Sequence, residues 1–261
     1  MKIIIAPDSK QAGCYAGSLL VPLFTKIEPV RLGLATGKTM IGVYQSLIRQ
    51  LAAMSLCPVA HVSTFNLDEY WQVPPNHPGS FQYFMHRYLF TDLPPFLEQI
   101  HFLRGDAEKA EDECRRFDTL LSQEPVDTQL LGIGVNGHIG FNEPGTSFSS
   151  RTRKVQLSPS TIKRNALEFP GVMPKAALSV GIANIMEANN VILVACGEDK
   201  SHVLSQALCG SVREECPASI LQTHPKVTVI VDKMAAQSLI KYFSRHAIQP
   251  LGHGLSIVEI D

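Results

Sequence analysis

The chain has 261 residues, a formal net charge of −1 at pH 7 and a sequence pI of about 6.7. This length is enough to bury a full hydrophobic core. The near-neutral charge argues against a basic surface for nucleic acid or for an acidic membrane, so neither is expected as a partner.

The N-terminal apolar run, Ile3–Ala6, is too short for a signal peptide or a membrane span. The cysteines form no Cys-x-x-Cys pair and no metal-ligand spacing; they stand at positions 14, 57, 114, 196, 209 and 216. We therefore expect a cytoplasmic protein with reduced thiols, no bound metal and no membrane contact.

Apolar runs that end in glycine or polar residues recur along the chain and predict buried strands at Val30–Leu34, Val59–Phe65, Gln129–Ile133, Val191–Ala195 and Val227–Val231. Helical patterns lie between or after them, at Met40–Ala53, Ala107–Leu121, Lys200–Leu208 and Met234–Phe243. This alternation predicts an α/β fold of three layers, a Rossmann-like, mostly parallel central sheet with helices on both faces. Without a linker pattern, residues 1–261 are expected to form a single domain.

Residues 146–174 are polar, rich in Ser, Arg and Lys, and show no strand pattern. Ser158-Pro-Ser-Thr161 predicts a short helix capped by the serine. Such a segment beside a catalytic loop is expected to be a lid; the alternative is an ordinary surface excursion.

Four polar clusters follow the predicted strands, where open α/β sheets bind ligands. The first contains Thr36, Gly37, Lys38 and Thr39, which could bind a phosphate at a helix N-terminus. A nucleotide P-loop is excluded because Leu32 stands where that motif needs glycine. A plain threonine-capped turn is the alternative.

The second cluster contains Asp68 and Glu69, which point to opposite sides of an extended chain. Only one of them can face a pocket, and we favour Asp68, expected to be ionised at neutral pH and able to act as a base. The alternative is a solvated carboxylate in a turn.

The third cluster is the glycine-rich segment 131–145, where His138 and Glu143 are the strong proton-handling groups. The fourth contains Lys200 at a predicted helix start, a plausible phosphate ligand unless it is simply solvated. With no metal cluster and no dinucleotide motif, the four clusters predict cofactor-free proton transfer on a phosphorylated small molecule.

These motifs resemble the glucosamine-6-phosphate deaminase family, which shares its fold with 6-phosphogluconolactonases. The matching segments are Leu-Gly-Leu-Ala-Thr-Gly at 32–37, Phe-Asn-Leu-Asp-Glu-Tyr at 65–70, Asn-Gly-His-Ile-Gly-Phe-Asn-Glu-Pro-Gly at 136–145, Ser-Arg-Thr-Arg at 150–153, Ala-Leu-Ser-Val-Gly at 177–181 and Pro-Ala-Ser-Ile-Leu-Gln-Thr-His-Pro-Lys at 217–226. Lactonases continue the glycine loop with a Ser-Leu-Phe-Pro-type segment, whereas this chain reads Phe-Asn-Glu-Pro, which favours the deaminase branch.

The resemblance implies conversion of glucosamine 6-phosphate to fructose 6-phosphate and ammonia without a cofactor. It implies that His138 assists ring opening, that Glu143 and Asn136 support His138, and that Asp68 moves the proton from C2 to C1. Asn136 replaces an aspartate of the best-known members; it can hydrogen-bond the imidazole but cannot favour imidazolium by charge.

Leu167 stands where the family's lid arginine binds the substrate phosphate. We hypothesise that Lys38 restores the lost charge, and Arg164 lies three residues before Leu167. The family's allosteric arginine corresponds to Arg153, but its lysine partner is Val155 here, so allosteric activation is doubtful. Arg153 is then either a residual allosteric residue or a solvated lid charge.

The alternatives are the same chemistry on galactosamine 6-phosphate, giving tagatose 6-phosphate, a 6-phosphogluconolactonase, and a non-catalytic sugar-phosphate sensor. A homo-oligomer is compatible with the resemblance, and the sequence leaves the oligomeric state open.

Overall fold

A computed structural model describes residues 1–54, 62–93, 97–167, 169–243 and 248–260. Its strands are β1 (Lys2–Ala6), β2 (Val30–Leu34), β3 (Val62–Asn66), β4 (Asp68–Tyr70), β5 (Leu97–His101), β6 (Thr128–Leu131), β7 (Arg153–Gln156), β8 (Ala176–Ser179), β9 (Val191–Ala195), β10 (Val227–Asp232), β11 (Gln249–Gly252) and β12 (Leu255–Glu259). Its helices are α1 (Ser9–Leu20), α2 (Lys38–Ala52), α3 (Phe81–Met85, continued by a π-turn), α4 (Ala110–Ser122), α5 (Pro159–Asn165), α6 (Ile182–Met186), α7 (Ser201–Cys209) and α8 (Gln237–Tyr242).

A nine-stranded sheet runs in the order β11-β12-β1-β10-β9-β6-β2-β3-β5. From β1 to β5 all neighbours pair in parallel, while β12 pairs antiparallel with both β1 and β11. Every residue of β6 and β9 is buried, as expected for strands covered on both sides. The predicted α/β class with a mostly parallel central sheet flanked by helices is therefore confirmed.

Element boundaries differ from the sequence prediction by up to three residues. Helix α2 begins at Lys38 rather than Met40, and α4 begins at Ala110 rather than Ala107. Lys200 ends a 3₁₀ turn that precedes α7, so it does not itself lie in the α-helix. The predicted strand Val59–Phe65 is observed as β3 from Val62, and residues 59–61 lie outside the described ranges.

A second, three-stranded antiparallel sheet has the order β4-β8-β7. It corrects the expectation that residues 146–174 contain no strand, because β7 lies within them. Along β7 a half-buried residue alternates with an exposed one, and Val155 is its one apolar side chain. That pattern is too weak to see in the sequence, so the strand depends on pairing with β8. The short helix predicted after Ser158 is confirmed as α5, with Ser158 as its N-cap.

Two regions at the chain ends carry elements that the sequence prediction left out. They are β1 with α1, and the hairpin of β11 and β12. Cys14, Cys114, Cys196, Cys209 and Cys216 are free thiols, and Cys57 lies outside the described residues. None of the helices in the described ranges is long and apolar enough to cross a membrane.

Candidate active site

The four predicted clusters follow four neighbouring parallel strands, β9, β6, β2 and β3. The chain leaves these strands at Cys196, Gly132, Ala35 and Leu67 respectively. Because the strands run in parallel, all four clusters lie along the same edge of the sheet. Ligands of open α/β sheets bind at this carboxyl edge, so the arrangement defines a candidate active site.

Asp68 starts β4 and is 8% exposed. Its Oδ2 lies 3.6 Å from where a Cβ on Gly140 would stand, so the carboxyl group meets the glycine-rich loop. Burial, helped by the charge of Glu69, raises the pKa of Asp68 to about 8. The expectation that Asp68 is ionised at neutral pH is therefore wrong, because the fold removes its carboxyl group from water.

Glu69 points away from Asp68 and accepts hydrogen bonds from the N-terminus of α3. Its carboxylate accepts hydrogen bonds from the Ser80 hydroxyl at 2.7 Å and from the backbone N–H groups of Phe81 and Gln82 at 3.0 and 2.9 Å. Burial raises the pKa of Glu69, although these hydrogen bonds oppose the rise. Of the two adjacent carboxylates, only Asp68 borders the glycine-rich loop.

His138 lies directly over Gly134. A Cβ on Gly134 would stand 2.3 Å from Cε1 of the imidazole, so any side chain there would displace the ring. The N–H of Gly134 also donates to the carbonyl of His138 at 2.9 Å. This glycine is needed for close approach, and it fixes the plane on which the imidazole rests.

Glu143 is the acidic partner of His138, with Oε2 3.6 Å from the imidazole Nδ1. Its Oε2 accepts from Asn136 Nδ2 at 2.7 Å, and its Oε1 accepts from the Thr161 hydroxyl. Burial by itself would raise the pKa of Glu143, but His138, Thr161 and Asn136 together outweigh it and lower the pKa to about 2. Glu143 is therefore a carboxylate throughout the neutral range.

Although an asparagine can hydrogen-bond an imidazole, the bonds of Asn136 in the described part of the chain go to other groups. Its Oδ1 accepts from the backbone N–H of His138 at 3.3 Å, while its amide group donates to Glu143. Nδ1 of His138 is buried and has no hydrogen-bond partner among the described residues. A small movement of Glu143 or His138 would close the 3.6 Å gap to a hydrogen bond.

The predicted phosphate loop joins β2 to α2. Gly37 has φ +109°, a conformation that favours glycine, and it precedes the first helical residue, Lys38. Thr36 and Thr39 are half-buried, and Lys38 is exposed. The Tyr44 hydroxyl donates to the carbonyl of Ala35 and so ties the loop to the helix that follows it.

Lys200 is largely buried, with its side chain 16% exposed and its Nζ 3.6 Å from Asp199. Burial lowers the pKa of Lys200; the charge of Asp199 raises it, and that of Arg164 in α5 lowers it. The alternative of a freely solvated lysine is therefore wrong. Two cations that repel each other at the edge of a candidate site favour an anionic ligand.

No group of three or more His, Cys, Asp or Glu side chains that could hold a metal ion occurs in the part of the chain that the structure describes. The candidate site consists of acids, one imidazole, cations and backbone amides. This inventory suits proton transfer on a phosphorylated compound.

The sequence model for glucosamine-6-phosphate isomerases and 6-phosphogluconolactonases matches residues 23–230. The chain belongs to this family. Among curated members it is 42% identical to glucosamine-6-phosphate deaminase 2 of Bacillus subtilis (strain 168), over 92% of this chain and 98% of that one. It is 45% identical to the glucosamine-6-phosphate deaminase of Staphylococcus haemolyticus, over 89% and 97% of the two chains.

Solved structures of the family show the same architecture. A monomeric glucosamine-6-phosphate deaminase superposes with a TM-score of 0.85 at 36% identity, covering 91% of this chain and 100% of that one. The 6-phosphogluconolactonase of Leishmania guyanensis superposes with a TM-score of 0.71 at 20% identity, over 91% and 98%. The likeness to the lactonase concerns the fold alone.

Arg153 has a structural role in this chain. Its guanidinium donates to Asn142 Oδ1 at 2.9 Å and to the Thr146 hydroxyl at 3.3 Å. Asn142 is fully buried and donates onward to the carbonyls of Ile139 and Val180, at 2.8 and 2.9 Å. Arg153 is thus not a solvated lid charge, because it fastens the glycine-rich loop to β7.

Leu167 is 85% exposed and follows α5. Arg164 lies in the last turn of that helix and acts electrostatically on Lys200. The lid therefore brings a positive charge to the site from a position one turn earlier than Leu167.

Sequence reasoning missed Thr161 and Ser179. Ser179 in β8 pairs with Asp68, and its hydroxyl accepts from the N–H of Phe141 at 3.0 Å. The Ser-x-x-Thr pattern at 158–161 indicated a helix start, but nothing in the sequence indicated that Thr161 bonds to Glu143.

Proposed function

We propose that this chain deaminates glucosamine 6-phosphate, giving fructose 6-phosphate and ammonia. The proposal is supported by curated relatives that bear this activity in their names. The matches cover about nine-tenths of this chain and 97–98% of the relatives. No observation favours galactosamine 6-phosphate over glucosamine 6-phosphate. The lactonase alternative is supported by the fold alone, at about 20% identity.

One observation carries the proposal: two carboxyl groups at the same sheet edge have pKa values shifted in opposite directions. Burial raises that of Asp68 to about 8, and hydrogen bonding lowers that of Glu143 to about 2. Groups separated in this way can take different roles at one pH. Asp68 is a stronger base than an ordinary carboxylate and is suited to remove a proton from carbon, and Glu143 stays a fixed charge beside His138.

The phosphate of the sugar is assigned to the loop of Thr36, Gly37, Lys38 and Thr39 together with Lys200. The N-terminus of α2 offers backbone N–H groups and the positive end of the helix dipole, and Lys200 offers a partly buried charge. Binding at this end places the sugar ring along the sheet edge towards Asp68 and His138. Arg164 adds charge from the lid.

His138 is assigned to ring opening. The imidazole takes the proton from the C1 hydroxyl and delivers one to the ring oxygen as the bond between C1 and that oxygen breaks. The charge that develops on the imidazole is balanced by Glu143, 3.6 Å from Nδ1. This step produces the open-chain aldehyde, which acidifies the hydrogen on C2.

Asp68 is assigned to the isomerisation. Its carboxylate removes the C2 proton while the C1 carbonyl oxygen takes a proton from the C2 ammonium group, which gives an enolamine. Asp68 then returns its proton to C1, leaving a protonated imine at C2. Water adds to that imine and ammonia leaves, which gives the ketose. With a pKa of about 8, roughly a tenth of Asp68 is ionised at pH 7, and the ammonium group on C2 of the bound sugar favours the ionised form.

We also infer a cytoplasmic location. The free thiols of the described cysteines support it, because reduced cysteines are typical of that compartment.

The decisive experiment is ammonia release from purified protein with glucosamine 6-phosphate and galactosamine 6-phosphate in parallel. We expect turnover of glucosamine 6-phosphate and a loss of at least about 100-fold in kcat for Asp68→Asn, since acid–base groups of this kind contribute about 10²- to 10⁴-fold. Faster release from galactosamine 6-phosphate would reassign the substrate. Binding of either sugar without ammonia release would show a sensor.

A further inference from the structure

The lid helix α5 is attached at each end to a different part of the proposed catalytic apparatus. Near its start, the Thr161 hydroxyl donates to Glu143 Oε1. At its last residue, Asn165 Nδ2 donates to the Tyr70 hydroxyl at 2.8 Å, and Tyr70 ends the strand that begins with Asp68. The helix therefore connects the segment that carries Glu143, the partner of His138, with the strand that carries Asp68, the proposed base.

The contact at Thr161 is buried and specific. Thr161 is 6% exposed, and its single hydroxyl hydrogen is directed to Oε1 of Glu143, while Asn136 occupies Oε2. The Ser158 hydroxyl also donates to the same Oε1 at 3.2 Å and caps the helix by accepting from the N–H of Thr161. Each oxygen of the carboxylate is thus fixed by a different element, one by the glycine-rich loop and one by the lid.

We propose that Thr161 is a positioning residue, which holds the Glu143 carboxylate opposite His138 only while the lid helix is seated. A lid that moves away takes the Thr161 hydroxyl with it and leaves the Glu143 carboxylate held by Asn136 at Oε2. Closure of the lid over a substrate thereby orients the Glu143 carboxylate towards His138 for ring opening. The catalytic consequence rests on the deaminase function proposed above, but the contact itself does not.

The first test is a double-mutant cycle on turnover of glucosamine 6-phosphate. Thr161→Val keeps the shape of the side chain and removes its hydroxyl, and we expect kcat to fall about tenfold, the equivalent of one hydrogen bond to a charged group. Thr161→Ser should restore kcat to within about twofold. In a Glu143→Gln background the valine substitution should cost less than about threefold, because the charge that Thr161 fixes is gone.

The second test does not depend on the substrate. Trypsin cleavage after Lys163 and Arg164, followed by mass spectrometry on the folded protein, reports the population of unseated lid. We expect Thr161→Val and Glu143→Gln each to accelerate cleavage about tenfold, and the double variant to be no faster than the quicker single variant. Thr161→Ser should match the wild type. If the valine variant does not fold, Thr161→Ala takes its place in both cycles.

Additive effects on cleavage would show that Thr161 and Glu143 act independently and would overturn the proposal. Equal losses of kcat from Thr161→Val in both backgrounds would reduce Thr161 to a packing role in the lid and would overturn it as well. Coupled cleavage in a protein that releases no ammonia would refute the proposed function and the catalytic role, and would leave the Thr161–Glu143 contact as a lid anchor.

Discussion

Asp68 and Glu69 are adjacent in the chain, yet their carboxyl groups lie in separate environments. Asp68 borders Gly140 of the glycine-rich loop, whereas Glu69 accepts four hydrogen bonds, three of them from the first residues of α3 and its cap. An extended backbone alternates the directions of its side chains, so β4 separates a candidate base from a structural carboxylate. A substitution of Glu69 should therefore affect mainly stability, and a substitution of Asp68 mainly turnover.

Glu69→Gln should destabilise the protein and keep turnover, although loss of the Glu69 charge should lower the pKa of Asp68. The amide can accept hydrogen bonds on one atom only, so donors now bound to the second oxygen lose their partner, at a cost of about 1.5–3 kcal/mol. For a domain of this size we expect Tm to fall by roughly 4–10 °C in calorimetry. The matched variant Asp68→Asn should lose turnover without a lower Tm. Loss of kcat at an unchanged Tm in Glu69→Gln would contradict the assignment.

The raised pKa of Asp68 predicts a pH dependence of stability. The folded protein holds the proton of Asp68 up to about pH 8, whereas the unfolded chain releases it near pH 3.8. Between these values the unfolded state binds fewer protons, so the free energy of unfolding should fall as pH rises. The expected decrease is on the order of a few kcal/mol, since one pKa unit corresponds to about 1.4 kcal/mol.

Urea unfolding from pH 4 to pH 9 measures this dependence. The difference between the wild type and Asp68→Asn should grow with pH up to about pH 8 and then stay constant. A difference that does not change with pH would mean that the Asp68 carboxyl group is not desolvated in the folded protein.

Gly134→Ala should impair catalysis through the position of His138. Its new Cβ would stand 2.3 Å from the imidazole Cε1, so the ring must move, and we expect kcat to fall at least about 100-fold. Gly132→Ala in the same loop is the control, because its nearest neighbour would be Met40 Cε at 3.6 Å, an ordinary contact. Steady-state kinetics with a check of folding by circular dichroism compares the two. Similar kcat values for both variants would argue against a fixed imidazole.

Lys38→Ala should raise the KM for the sugar phosphate at least about tenfold with little change in kcat, if Lys38 restores the charge lost at Leu167. Lys163→Ala is the control, since Lys163 is an exposed lid lysine. Arg164→Ala should be measured beside them. An unchanged KM in Lys38→Ala together with a raised KM in Arg164→Ala would show that Arg164 of the lid, and not Lys38, supplies the charge that binds the substrate phosphate.

Much of the candidate site is predictable from the amino-acid sequence. The apolar run that forms β9 is a strong signal, because strands buried on both faces need continuous apolar sequence. The signals for β2 and β6 are weaker, since Arg31 interrupts the first and Thr128 and Gln129 begin the second. Parallel strands share one carboxyl edge, so residues far apart in the chain are expected to meet there. This reasoning is enough to select Asp68, His138, Glu143 and Lys200.

The sequence by itself determined the class of fold, the positions of its main strands along the chain and the residue types at the sheet edge, since these follow from local pattern and from the geometry of parallel strands. Only the tertiary structure decided how those residues behave. The pKa of Asp68 depends on burial beside Gly140, the lowered pKa of Glu143 on His138 and on a hydroxyl 18 residues further along the chain, and the role of Arg153 on contact with Asn142. Desolvation and hydrogen bonding between segments distant in sequence arise from three-dimensional packing, which no local pattern records.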